Sequence, residues 1–184
     1  MAWTNTDGLQ VRLASDWKQA ALRKNRPGSL NSFGALKEIE IDVDLKLLPA
    51  GVVNFTADLN NDGTRDGFYN GDVSLPANSS IISAYYVSGE TAVGGTSLAV
   101  GLYQVNGTAI SATGILTAAA GVTANMAVGK RINGDGALVA TAAGTNGVGA
   151  TRAYIGMTAT GTFTAGKGRL VIQYIDAQPN PTDL

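Results

Sequence analysis

Hydrophobic and polar positions alternate most regularly in "LKEIEIDVDLKLL", residues 36–48. Ile39, Ile41, Val43, Leu45 and Leu47 take every second position, and Glu40, Asp42, Asp44 and Lys46 fill the places between. A period of two predicts a strand with one buried and one charged face. Pro49 ends it. "GVVNFTAD" and "GFYNGDVSLP" predict two further strands, joined by a polar loop, and "SSIISAYYVSGE" predicts another. Its adjacent Tyr85 and Tyr86 must face opposite sides, so at most one belongs to a core. Beyond Gly89 the apolar pieces are short: "TSLAVGLYQV", "GALVAT", "RAYIGMTATG" and "GRLVIQYI". They are rich in β-branched and aromatic residues, and Gly-Gly, Asn-Gly and Gly-Asp-Gly turn formers separate them. "LTAAAGVTANMAVG" carries the apolar and alanine content of a short helix, although its threonines and glycines oppose one.

The front of the chain differs. "GLQVRLA" predicts a short strand. "SDWKQAALRKNRPG" predicts a helix of three turns, capped by Ser15 or Asp16, with Trp17, Ala20 and Ala21 on one face. Cations near its end suit the helix dipole, and Pro27-Gly28 stops it. The tail "DAQPNPTDL" is polar and extended. The fold class is therefore all-β: an antiparallel β-sandwich, jelly-roll-like, with an N-terminal arm containing a short helix. The arm spans 1–35, the sandwich 36–176 and an extended tail 177–184.

Charge sharpens that division. Residues 1–75 hold 18 of the 27 charged side chains, whereas 17 of 24 glycines fall between Gly89 and Gly168. Charged residues are only 15% of the chain, against about a quarter in ordinary domains. The net charge of −1 argues against nucleic acid as a partner, since such binding needs a broad basic surface. No apolar run approaches the ~20 residues of a membrane helix. The first residues show no basic stretch followed by an apolar core, so synthesis and use without export are expected.

Candidate chemistry is sparse. With no histidine and no cysteine, a Ser-His-Asp triad and thiolate chemistry are excluded. "TADLNNDGTRDGFYNGD" places Asp58, Asn60, Asp62, Gly63, Thr64 and Asp66 at positions 1, 3, 5, 6, 7 and 9 of an EF-hand-like calcium loop. The bidentate Glu of position 12 is missing, and Tyr69 stands there. A hairpin turn explains the same residues, because Asn, Asp and Gly are turn formers. Structural calcium is thus the one cofactor candidate, on Asp58, Asn60, Asp62, Thr64 and Asp66, beside a turn without metal. Glu38, Glu40, Asp42 and Asp44 alternate with core residues, which marks a solvated strand face rather than a pair of catalytic carboxylates. Lys18, Arg23, Lys24 and Arg26 either match the helix dipole or grip an acidic partner surface. Trp3 and Trp17 have few apolar neighbours in sequence, which favours burial against the sandwich or a partner.

Several stretches resemble structural proteins of short-tailed, T7-like marine bacteriophages. They are the opening "MAWTNTDGLQVRLASDW", the acidic strand "LKEIEIDVDLKLL", the block "DGFYNGDVSLPANSSIISAYYVSGETAVGGTSLAVGL" and the ending "TGTFTAGKGRLVIQYI". The carrying features are Leu75-Pro76-Ala77-Asn78, Gly94-Gly95-Thr96-Ser97-Leu98 and Thr164 to Arg169. The resemblance implies a virion protein of β-sandwich fold that decorates the head, made in the host cytoplasm. It implies no catalytic residue, hence no enzyme. The major capsid protein is the expected partner, with self-association left open. Trp3, Trp17, Lys18, Arg23, Lys24 and Arg26, within an arm from Met1 to Ala35, are the expected docking residues. A tail or fibre module that recognises host carbohydrate is the alternative.

Overall fold

The structure is a computed structural model. It describes residues 36–55, 73–104, 106–139 and 148–175, and the backbone of Trp3–Thr4 and Gln10–Val11. By compactness the chain divides into two units, residues 1–34 with 179–184, and residues 35–178. In the first unit β1 (Trp3–Thr4) pairs antiparallel with β2 (Gln10–Val11), within the strand expected over "GLQVRLA". The helix expected after Ser15 lies outside the described residues.

The second unit is built from β3 (Leu36–Asp44), β4 (Val53–Phe55), β5 (Ser74–Leu75), β6 (Ser80–Gly94), β7 (Ser97–Tyr103), β8 (Ala109–Leu116), β9 (Arg131–Asn133), β10 (Ala153–Thr160) and β11 (Phe163–Ile175). One sheet has the order β3-β11-β6-β9 and the other β4-β10-β7-β8, with the two-residue β5 also on β10. All named pairs are antiparallel. With β5 set aside, the eight strands fall first-eighth-third-sixth in one sheet and second-seventh-fourth-fifth in the other. That is the winding of a jelly roll. Val43, Leu98, Leu102, Ile115, Ile155, Leu170 and Ile172 from both sheets meet in one core.

A long two-stranded ribbon supplies the centre of both sheets. β6 runs into β7 and β10 into β11, and the two double-length strands pair with each other on both sides of a corner. Thr160 pairs with Ser97 before the corner and Phe163 with Gly94 after it. Both pairs sum to 257, so the ladder turns without losing register. Gly95 sits at the bend with φ +56°, and a Cβ there would lie 2.7 Å from the Phe163 ring. Only glycine meets both demands. Gly95 N–H donates to Thr162 O (2.7 Å) and Thr96 N–H to Thr160 O (2.6 Å), which closes the corner. The "GGTSL" stretch is thus corner chemistry. "LPAN" is a turn: Ser79 Oγ donates to Pro76 O (2.6 Å), Asn78 takes φ +59°, and its N–H reaches Gly149 O (2.7 Å).

Three expectations need correction. The first strand stops at Asp44. Its carboxylate accepts from Lys46 N–H (3.1 Å) and caps a 3₁₀ turn over Leu45–Leu47, so Leu45 is buried but Leu47 is 57% exposed. "LTAAAGVTANMAVG" forms one 3₁₀ turn at Thr123–Asn125. There Gly121 must lie against the Leu98 backbone, whose N–H it accepts (2.8 Å). In "GALVAT", Val139 makes only an isolated bridge with Ile81, while Leu138 N–H caps Gly114 O (2.8 Å). Three strands were not anticipated, β1, β8 and β9.

Candidate interaction surface

The two sheets treat their outer faces differently. On the β3-β11-β6-β9 sheet the register sets side chains in columns. Lys167 lies opposite Asp44, Arg169 opposite Asp42, Val171 opposite Glu40 and Gln173 opposite Glu38. Arg169 Nε donates to Asp42 Oδ1 (2.9 Å) and Nη1 to Glu40 Oε2 (2.8 Å). Lys167 Nζ lies 3.6 Å from Asp44 Oδ2. Ser83 Oγ donates to Gln173 Oε1 (2.7 Å), and Gln173 Nε2 to Glu38 Oε2 (2.8 Å), linking three strands. The hydrogen bond to Asp42, then the charges of Asp42 and Glu40, raise the Arg169 pKa above its ordinary value.

Further across this face Tyr85 pairs with Val171 on one side and Asn133 on the other. The Arg131 guanidinium covers the Tyr85 ring at 3.9 Å. Val171 points outward yet is only 5% exposed, so its neighbours roof it over. An open recess of about 800 Å³ lies here, lined by Glu40, Asp42, Tyr85, Val87, Arg169 and Val171 among others. Below it Tyr86 faces the core at 1% exposure, and its ring fills the space where a Cβ of Gly168 would stand. So one tyrosine of the pair is core and the other is surface. Tyr86 Oη has no hydrogen-bond partner, and burial, aided by the charge of Asp44, pushes its pKa up to about 12.

The other sheet is closed outside as well as inside. All seven residues of β7 are buried. Phe55, Tyr103 and Tyr154 form a second cluster, with Val53 packed on it. Phe55 meets Tyr103 edge to face, ring centroids 5.5 Å apart. Burial pushes the Tyr103 pKa up, against a hydrogen bond from Thr158 that lowers it. β8 bulges over this sheet: Val100 pairs with Leu116 but Leu102 with Ser111, so three extra residues loop out. They cover Gly101, where a Cβ would run into Ser111 O and the Ala112 backbone.

Asp58, Asn60, Asp62, Thr64 and Asp66 lie outside the described residues, as do Trp17, Lys18, Arg23, Lys24 and Arg26. Trp3 is placed by its backbone alone, opposite Val11 in β1. Among the described residues no three acidic side chains gather as a metal would require, and no helix is long and apolar enough to cross a membrane. Glu38, Glu40, Asp42 and Asp44 do face solvent, as expected of a strand face, but as half of an ordered ion-pair ladder. Lys167, Arg169 and Gln173 complete it, and sequence reading missed them. Their signal was the same period of two in "KGRLVIQ", offset in charge from "KEIEIDVD". Three acids line the recess, Glu40, Asp42 and Asp44, and the first two both bind Arg169.

No protein-family model matches this sequence, and no curated protein matches it. Two solved structures share its fold. A chain of the cyanophage Pam1 capsid asymmetric unit superposes with a TM-score of 0.50 at 16% identity, covering 95% of this chain and 99% of that one. A chain of the capsid of Ralstonia phage GP4 superposes with a TM-score of 0.51, also at 16% identity, covering 83% of this chain and 92% of that one. At that identity the likeness establishes a shared fold.

Proposed function

We propose that this protein is a structural component of a bacteriophage capsid, and that it decorates the head by binding the outer surface of the major capsid protein shell. The observation that carries this reading is the end-to-end match to the two capsid chains, 99% and 92% of their lengths. The fold suits the task. A core shared by two sheets and a ribbon locked at its corner make a stiff body that can span neighbouring subunits. It acts by contact and carries out no reaction. The arm over residues 1–35, with Trp3, Trp17, Lys18, Arg23, Lys24 and Arg26, is the docking element in this reading.

Capsid shells made without this protein, mixed with the full chain and pelleted, test it. The chain is expected in the pellet at a fixed ratio to shell subunits, and at the outer surface in particle density. Deleting residues 1–30 is expected to abolish occupancy and leave the sandwich folded. A chain that stays in the supernatant, or that localises to tails and binds host glycan, sinks the proposal. The carbohydrate alternative has less support, because Arg131 already covers the Tyr85 ring that would stack on a sugar.

A further inference from the structure

An unpaired strand edge offers a row of free N–H and C=O groups, and proteins blunt such edges with short strands, bulges or proline. Among the described residues the two large sheets have the edge strands β3, β4, β5, β8 and β9. β4 and β9 are three residues long and β5 two. β8 is broken by its bulge. β3 alone is long and regular: nine residues, no proline, and paired to β11 without a shift from Leu36–Ile175 to Asp44–Lys167. No described strand pairs along its other side. Its protection is charge. Glu38, Glu40, Asp42 and Asp44 fill its outer face, and Lys167 and Arg169 compensate the last three. Glu38, Glu40 and Asp42 each engage a carboxylate oxygen toward β11.

That arrangement selects its occupant. A second copy pairing antiparallel through this edge would set Glu40 on Glu40 and Glu38 on Asp42, and like charges directly opposite are destabilising. A strand carrying Lys or Arg at alternate positions would repeat on this side what β11 does on the other. We infer that the β3 edge from Glu38 to Asp44 receives an extended, alternately basic segment of a neighbouring capsid subunit as an added strand. Main-chain hydrogen bonds provide the affinity and the acidic column the choice of partner. This rests on the capsid reading above.

The full chain and shells made without it test the inference by hydrogen exchange and by pelleting. Amide exchange over residues 38–44 is expected to slow at least about tenfold when the wild-type chain is bound to shells. The variant E38K/E40K/D42K, checked for unchanged fold by circular dichroism, is expected to lose at least about tenfold in shell affinity. Binding that leaves exchange over 38–44 unaltered overturns the edge while the capsid reading stands. Normal binding by the folded variant does the same. If the wild-type chain fails to bind shells at all, the capsid reading falls and takes the named occupant with it. A wild-type chain that dimerises and thereby protects β3 overturns the choice of partner.

Discussion

The two sheets share one core but solve opposite problems on their outer faces. The β3-β11-β6-β9 sheet meets water with ion pairs over a thin apolar layer, and its side chains stand in columns. The β4-β10-β7-β8 sheet turns small residues outward, Ala99, Gly101 and Gly156, so that chain can lie directly on it. The difference teaches where substitution is tolerated. The charged face has room and solvent. On the closed face the Ser111–Ala112 backbone is pressed against Gly101, where even a methyl group has no place.

The strongest way to break this contrast is at Gly101. Gly101→Val must displace main chain at Ser111 and Ala112, and it is expected to cost more than about 3 kcal/mol in denaturant unfolding. On the other sheet a Cβ at Gly89 would stand 3.6 Å from Lys167 O, so Gly89→Ala is expected to stay within about 0.5 kcal/mol. Equal costs would dissolve the comparison. Next comes the second aromatic cluster. Phe55→Ala is expected to lose about 3 kcal/mol, whereas Tyr85→Ala, giving up its contact with Arg131, should lose about 1 kcal/mol.

Between the faces lies Tyr86. Its pKa of about 12 against 10 for an ordinary tyrosine means that the neutral form is favoured by folding. That contribution is fully present below pH 10 and is lost as pH rises through 12. Two pH units correspond to about 2.7 kcal/mol. Urea midpoints measured from pH 9 to 12 should therefore fall less steeply in Tyr86→Phe than in wild type. At neutral pH that variant should match or exceed wild type, since Oη has no partner to lose. The smallest effect is expected at Arg169. Its ion pairs are exposed, and Arg169→Gln or 1 M NaCl should leave the thermal midpoint within the scatter of the measurement.

The charged sheet was legible because its alternation has a chemical cause. Glu40, Asp42 and Asp44 can face only water, so β3 shows its period on the page. β7 shows none, because both of its faces are buried and the run from Leu98 to Leu102 is apolar without a break. β8 was hidden by its bulge, which interrupts the period in "AISATGIL" and exposes its first half. The partners of the acidic column were present as Lys167, Arg169 and Gln173, but they lie about 130 residues away, and periodicity says nothing about which strands pair. The winding order was out of reach for the same reason. The corner glycines were visible as a motif, but not the Thr162 carbonyl that a Cβ at Gly94 would meet or the Phe163 ring that one at Gly95 would meet. The acidic loop and, apart from the backbone of β1 and β2, the arm lie outside the described residues.

The bent ribbon has a consequence for the order in which the molecule can be built. β10 sits between β4 and β7, and β11 between β3 and β6. Until the ribosome has released residues 153–175, β3 and β4 have nothing to hold, and neither layer can close. One late insertion then zips both layers together through contacts far apart along the chain, a slow class of search. A nascent chain caught before that step presents two unfinished sheets to its crowded surroundings, so maturation hinges on the arrival of a single bent strand of double length.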